Sequence, residues 1–331
     1  MMNAATKQRI NEAQVRNFFA AWAPAWRWVL IVGLRDLRAN LRRLGEMAAT
    51  EMDNDSWKAD DYVYGPLALG ITAAAVNEAA QHCEDLFALL TFARDPMDFV
   101  KRMTSYAAGK VTGLSKRLMT EGDDGLRKRF LLPPTAVIED GLSKAEDPEK
   151  AVAAVEEAVK RLLDLVRKVT DWYLTYEFFH LQYKHGFKLP LRPFSGTLPP
   201  ETIDKRKQDV SAPLIAFTNE NLAQMLARPP GQQALMMLLT PETQPHINEL
   251  IADRALLRYQ MSGPEVNLDD VVEISRSVYR LLLLIQRNRL SVSNGPDEDG
   301  QQVFYLPGAA ANETVEARLE PSTPVLLKDF R

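Results

Sequence analysis

Between Tyr176 and Gly186 the chain reads Tyr-Glu-Phe-Phe-His-Leu-Gln-Tyr-Lys-His-Gly, which sets two imidazoles, His180 and His185, beside Lys184 and shortly ahead of Lys188 and Arg192. Those side chains are the ingredients of acid–base work on a phosphate ester. One histidine takes the proton from a ribose 2′-OH while a cationic neighbour stabilises the charge developing on the phosphorus oxygens, with no metal or other cofactor needed. A plainer reading stands beside it: a histidine near the C-terminal end of a helix caps or packs, and the helix dipole favours its protonated form.

Two further clusters carry polar chemistry. Asn77, Gln81, Glu84 and Asp85 share one side of an otherwise apolar helix. They form either its solvent face or a set of groups that meets the histidine-bearing helix and orients the imidazoles. Arg35, Arg38 and Arg42, with Arg43, follow Trp22, Trp26 and Trp28 along one helix flank. Residues 1–50 hold eight Lys or Arg against three Asp or Glu, whereas the whole chain carries a formal charge of −4. Such asymmetry suits a polyanion, a partner protein or an acidic membrane surface, and equally a solvated face whose arginines pair with acids elsewhere. The run Arg127-Lys128-Arg129 reads as part of a loop.

Helices must position these residues. Asp147 is a natural N-cap, Pro148 suits the first turn and Glu149 complements the positive end of the dipole. From there Val152, Val155, Val159, Leu162, Val166, Val169, Tyr173 and Tyr176 follow a 3-then-4 spacing that makes one seam, with His180 on the same line. That spacing predicts a helix of about 38 residues in a bundle, stopped at Gly186. Four helices precede it: 4–21, a restart at Pro24 running to Met47, one opened by Pro66 and ending near 93, and one from Asp95-Pro96 to Met119. Gly122, Gly125, Pro133 and Pro134 mark loops.

Fourteen of the 20 prolines lie at or beyond Pro190, and the boundary is placed near 195. The fold expected is mainly α: a multi-helix bundle over residues 1–195, then a smaller mixed region, 196–331, with helices and a few short strands. Helices are expected at 220–227, 241–261 and 268–290, extended segments at 189–194, 213–217, 303–306 and 325–327, and a polar loop at 293–301.

Much chemistry is excluded by what is missing. There is no G-x-G-x-x-G, no P-loop, no G-x-S-x-G, no H-E-x-x-H and no EF-hand loop. Glu177-x-x-His180 occurs only once, so the paired motif of a helical di-metal site is not met. One cysteine, Cys83, forms no internal disulfide, and no apolar run reaches the ~20 residues of a membrane span. The expectation is a cytoplasmic protein without a transmembrane segment.

Residues 66–192 resemble the HEPN-like proteins, helical bundles that bind nucleotides or cleave RNA. The resemblance rests on the helix around 77–90, on Phe99-Val100-Lys101-Arg102 with Tyr106 and Gly109, and on Tyr183-Lys184-His185-Gly186. It implies His185 as catalytic base. In active members an arginine precedes that histidine by five to seven positions; here His180 stands five before it and no arginine lies between Arg167 and His185, which leaves Lys184 or Lys188 for the phosphate. The family often pairs as homodimers. Two functions follow as expectations. One is a HEPN-like protein of bacterial defence or stress response that binds RNA or nucleotide, with metal-independent ribonuclease activity if His185 is competent. The other is a non-catalytic interaction protein that meets a partner or anionic surface through its basic N-terminal helix.

Overall fold

The computed structural model describes residues 3–51, 61–92, 99–105, 108–143, 146–184, 211–218, 259–296, 298, 301–307 and 314–319. Their order is α1 (Ala4–Ala21), α2 (Trp26–Ala39), α3 (Leu41–Glu51), α4 (Asp61–Phe92), α5 (Phe99–Thr104), α6 (Ala108–Leu118), α7 (Asp123–Arg129), α8 (Thr135–Leu142) and α9 (Pro148–Lys184). Then follow β1 (Ser211–Thr218), β2 (Tyr259–Asn267), α10 (Leu268–Asn294), β3 (Gln302–Pro307) and β4 (Thr314–Leu319). The chain is mainly helical. Its described strands make two antiparallel pairs, β1 with β2 and β3 with β4.

Local chemistry accounts for the helix ends. Asn3 Oδ1 accepts from the Thr6 amide at 2.7 Å, and Asp147 Oδ1 from the Lys150 amide at 3.1 Å, each satisfying one orphan donor of a first turn. Asn267 Oδ1 accepts from the Asp269 amide at 2.9 Å, and Asp269 and Asp270 add negative charge at the start of α10. Gly295 closes α10 at φ +77°, its amide bonded to the Ser291 carbonyl at 3.1 Å.

Several expected boundaries are corrected. The helix from Pro24 to Met47 is two helices divided at Asn40, whose amide bonds the Leu37 carbonyl at 3.0 Å while its Nδ2 bonds the Asp36 carbonyl at 2.8 Å. An asparagine that offers its side chain to a nearby carbonyl competes with the helical ladder. Pro66 lies inside α4, which opens at Asp61; the apolar run Tyr62-Val63-Tyr64 continues the helical pattern ahead of it, and the missing amide falls near an end rather than in the middle. The stretch expected as one helix ending at Met119 holds α5 and α6. Residues 122–134 are not all loop, for Arg127, Lys128 and Arg129 form the last turn of α7 opposite Asp123 and Asp124 in its first. Ser293 and Asn294 belong to α10, and residues 259–261, expected in a helix, lie in β2 paired with β1. The boundary near 195, Gly186, the segments 189–194 and 325–327, the helix at 220–227 and Asp95-Pro96 lie outside the described residues.

The chain divides into two compact units, each discontinuous in sequence: Met1–Trp26 with His82–Trp172 and Arg276–Arg331, and Arg27–Gln81 with Tyr173–Ser275. In the first, Phe18 and Phe19 of α1 meet Phe99 of α5 with ring centroids 5.4 and 5.5 Å apart. Its core holds polar groups as well. Asn288 is fully buried; its Nδ2 donates to the carbonyls of Phe130 and Tyr305, and its Oδ1 accepts from the Tyr305 amide at 2.7 Å, which ties α10 to β3. In the second unit Ile31 of α2, Ala75, Val76 and Ala79 of α4, Tyr173 and Tyr176 of α9, and Val271 and Ile274 of α10 are buried. Arg27 pairs with Glu78 at 2.6 Å, linking α2 to α4.

Candidate functional site

The 3-then-4 seam of α9 is half-buried at Val152 and Val155 and turns inward from there, with Val159, Val166, Val169, Tyr173 and Tyr176 all buried. His180, the next residue on that line, is 1% exposed. Its Nδ1 lies 2.9 Å from Asn77 Oδ1 on α4. With that oxygen as acceptor, Nδ1 carries the proton and donates. The structure thus brings together two residues from different clusters, separated by 103 positions in the chain. The ring is closed off from solvent, so the contact suits a residue that joins α4 to α9.

Tyr176 shares this environment. Burial pushes its hydroxyl up to about 12, and the charge of Asp270 in the first turn of α10 adds in the same direction. Among the described residues, no three His, Cys, Asp or Glu side chains gather closely enough to hold a metal ion.

The remaining expected site residues are dispersed. Gln81 is half-buried on α4. Glu84 is buried and falls in the other unit, where, after burial itself, its charge and that of Asp85 push the Cys83 thiol up. Lys184 is the last residue of α9. His185, Lys188 and Arg192 lie outside the described residues.

The basic flank is engaged within the chain at Arg35, while Arg42, 88% exposed, and Arg43 face solvent. Arg35 pairs with Asp269 at 3.3 Å and with its neighbour Asp36 at 3.2 Å. Arg42 pairs with Glu46 one turn on at 3.2 Å, and Arg38 is half-buried. α2 and α3 also present apolar side chains outward, beside the exposed Asp36, Arg42, Arg43 and Glu46. Val29 is 60% exposed, Leu30 40%, Leu37 43% and Met47 56%. On α2, Leu30, exposed Gly33 and Leu37 follow helical spacing and so share one face, whereas Met47 lies on α3 beyond the break at Asn40. A Cβ built on Gly33 meets nothing within 4 Å. The sequence shows this stripe only as an ordinary amphipathic pattern, because spacing does not tell which side the rest of the chain covers.

Sequence reasoning also missed a hollow in the first unit, of about 430 Å³, lined by Ala5, Gln8, Arg9, Glu12, Arg16 and Ser293. At its edge Glu12 pairs at 3.0 Å with Arg289, a guanidinium only 1% exposed. Arg16 donates to the Ser293 carbonyl at 2.9 Å. These contacts join residues 277 positions apart, and no local pattern announces them.

Comparison with protein-family models, with curated proteins and with solved structures gives no match.

Proposed function

We propose that this is a helical interaction protein whose α2–α3 outer face docks an amphipathic helix of a protein partner. The observation that carries this reading is the exposure of Val29, Leu30 and Leu37 along α2, with Met47 exposed on α3. Scattered exposed apolar residues are ordinary on a protein surface, whereas a contiguous row at helical spacing favours a partner that covers it. Leu30, Gly33 and Leu37, at a 3-then-4 step along α2, suit the knobs of a second helix. An anionic polymer or lipid surface is a poorer fit at Arg35, which already faces Asp269 and Asp36 of this chain. Catalysis through His180 is disfavoured by the enclosure of its ring.

The test is a photo-crosslinking side chain, benzoylphenylalanine, placed at Val29 of the full chain in the cells that make it. Illumination is expected to yield a discrete protein adduct whose amount falls when Leu37→Glu is added. An adduct that ribonuclease removes, or a protein adduct indifferent to Leu37→Glu, would overturn the reading.

A further inference from the structure

We infer that the hollow between α1 and the end of α10 is a binding site for a small linear dicarboxylate. The inference concerns a different part of the chain from the docking face and stands without it.

One wall comes from a single helix. Ala5, Arg9, Glu12 and Arg16 recur every three or four residues along α1 and so share one face, with Gln8 beside Arg9. The other wall is the last turn of α10, at Ser293. The space between them, about 430 Å³, lies within the range of small-molecule sites.

The pairing of the charges selects the ligand. Arg289 is 1% exposed and meets Glu12 at 3.0 Å, so these two charges cancel and Glu12 has little pull left for an amine. Arg16, half-buried, gives Nη1 to the Ser293 carbonyl at 2.9 Å and keeps its other N–H donors. Arg9 is exposed and, among the described residues, has no carboxylate partner. Two positive charges therefore stand along the hollow with no acid of the chain opposite them. Two neutral groups add to them: Gln8, half-buried, and Ser293 Oγ, which is enclosed in the far wall and has no hydrogen-bond partner among the described residues. An amide and a hydroxyl each donate to an oxyanion.

Spacing sets the shape. Arg9 and Arg16 lie two turns apart, about 10 Å along the axis. Glu12 stands between them, and its carboxylate repels any acidic group held midway. The arrangement takes one acidic group at each guanidinium and an uncharged middle. Two carboxylates balance the two free arginines, each as a charge-assisted, bidentate contact. A bisphosphate brings surplus negative charge beside Glu12, and a diamine meets guanidiniums at both ends. With each arginine leaning inward on its flexible stem, a backbone of roughly four to six carbons joins the two ends.

Adipate is the probe. Titration calorimetry of the full chain at low salt is expected to show one saturable site with a dissociation constant on the order of 0.1–1 mM. Hexanoate, equally long but with a single acid, binds about tenfold more weakly, and 1,6-diaminohexane gives no saturable heat. Arg9→Gln changes an exposed side chain and leaves the melting temperature unaltered, yet it abolishes the preference for adipate over hexanoate. No saturable binding up to about 20 mM adipate, hexanoate as tight as adipate, or an Arg9→Gln protein that keeps the preference each overturns the inference. Tighter binding of hexane-1,6-diyl bisphosphate than of adipate overturns the assignment to carboxylates.

Discussion

The inner end of α9 and the outer face of α2 each hold side chains where the other kind is usual. Around His180 polar groups turn inward: the imidazole is 1% exposed and the Tyr176 phenol is buried, with the half-buried Asn77 amide beside the ring. Along α2 and α3, apolar groups face outward. The first set is answered inside the chain, since Asn77 Oδ1 meets His180 Nδ1 at 2.9 Å. The second set stays exposed, Val29 at 60% and Met47 at 56%. A buried polar pair is complete when its hydrogen bonds are made, but exposed leucines and valines stay in water until something covers them. The difference locates function by what is unfinished rather than by which residues are reactive.

That contrast can be broken at either side. The largest effect is expected at Glu12, whose carboxylate faces the enclosed Arg289: Glu12→Gln removes the charge opposite a buried guanidinium and should cost about 3 kcal/mol in urea unfolding. Asn77→Ala takes the acceptor from His180, and a loss of about 1–2 kcal/mol is expected, together with a change in the ring nitrogen signals of His180 in nitrogen NMR. Tyr176 offers a pH test. Its folded-state value is raised above the ordinary 10 to about 12, so its contribution to stability is intact below pH 10 and disappears as pH climbs toward 12. Tyr176→Phe should therefore flatten the alkaline fall in melting temperature over that window and leave neutral pH nearly unchanged. The smallest effect is expected on the outer face. Gly33→Ala adds a methyl group where nothing lies within 4 Å, and in dilute monomer it should stabilise α2 by about 0.5–1 kcal/mol. A destabilised monomer there would mean that the face is already covered by its own chain.

What the sequence made legible is local. Asp147 and Pro148 announce the start of α9 within a few residues, and its seam repeats often enough to be read without knowing the partner. The start of α10 at Leu268 and the strand through Val303–Leu306 are legible for the same reason. The break at Asn40 is not, because no glycine or proline marks it and the competing bond from its side chain is a matter of conformation. For the arginine flank the sequence leaves a polyanion, a partner, an acidic membrane surface and pairing within the chain all open, since nothing near Arg35 in sequence discloses that Asp269 stands 3.3 Å away. The meeting of Asn77 with His180 was one of two alternatives for the α4 cluster; choosing it required the packing of α4 against α9, which no spacing rule supplies. The outward turn of α2's apolar stripe was hidden for the converse reason: an amphipathic pattern names a face but not its direction.

Cys83 is the sole thiol of the chain, fully buried and held protonated by its surroundings. A polar maleimide added to the folded protein therefore has no native sulfur to attack. A cysteine introduced at Val29 or Met47 would be labelled alone, with Cys83 left in place. An environment-sensitive label attached there would report whether the α2 face stays in water or is covered by a partner.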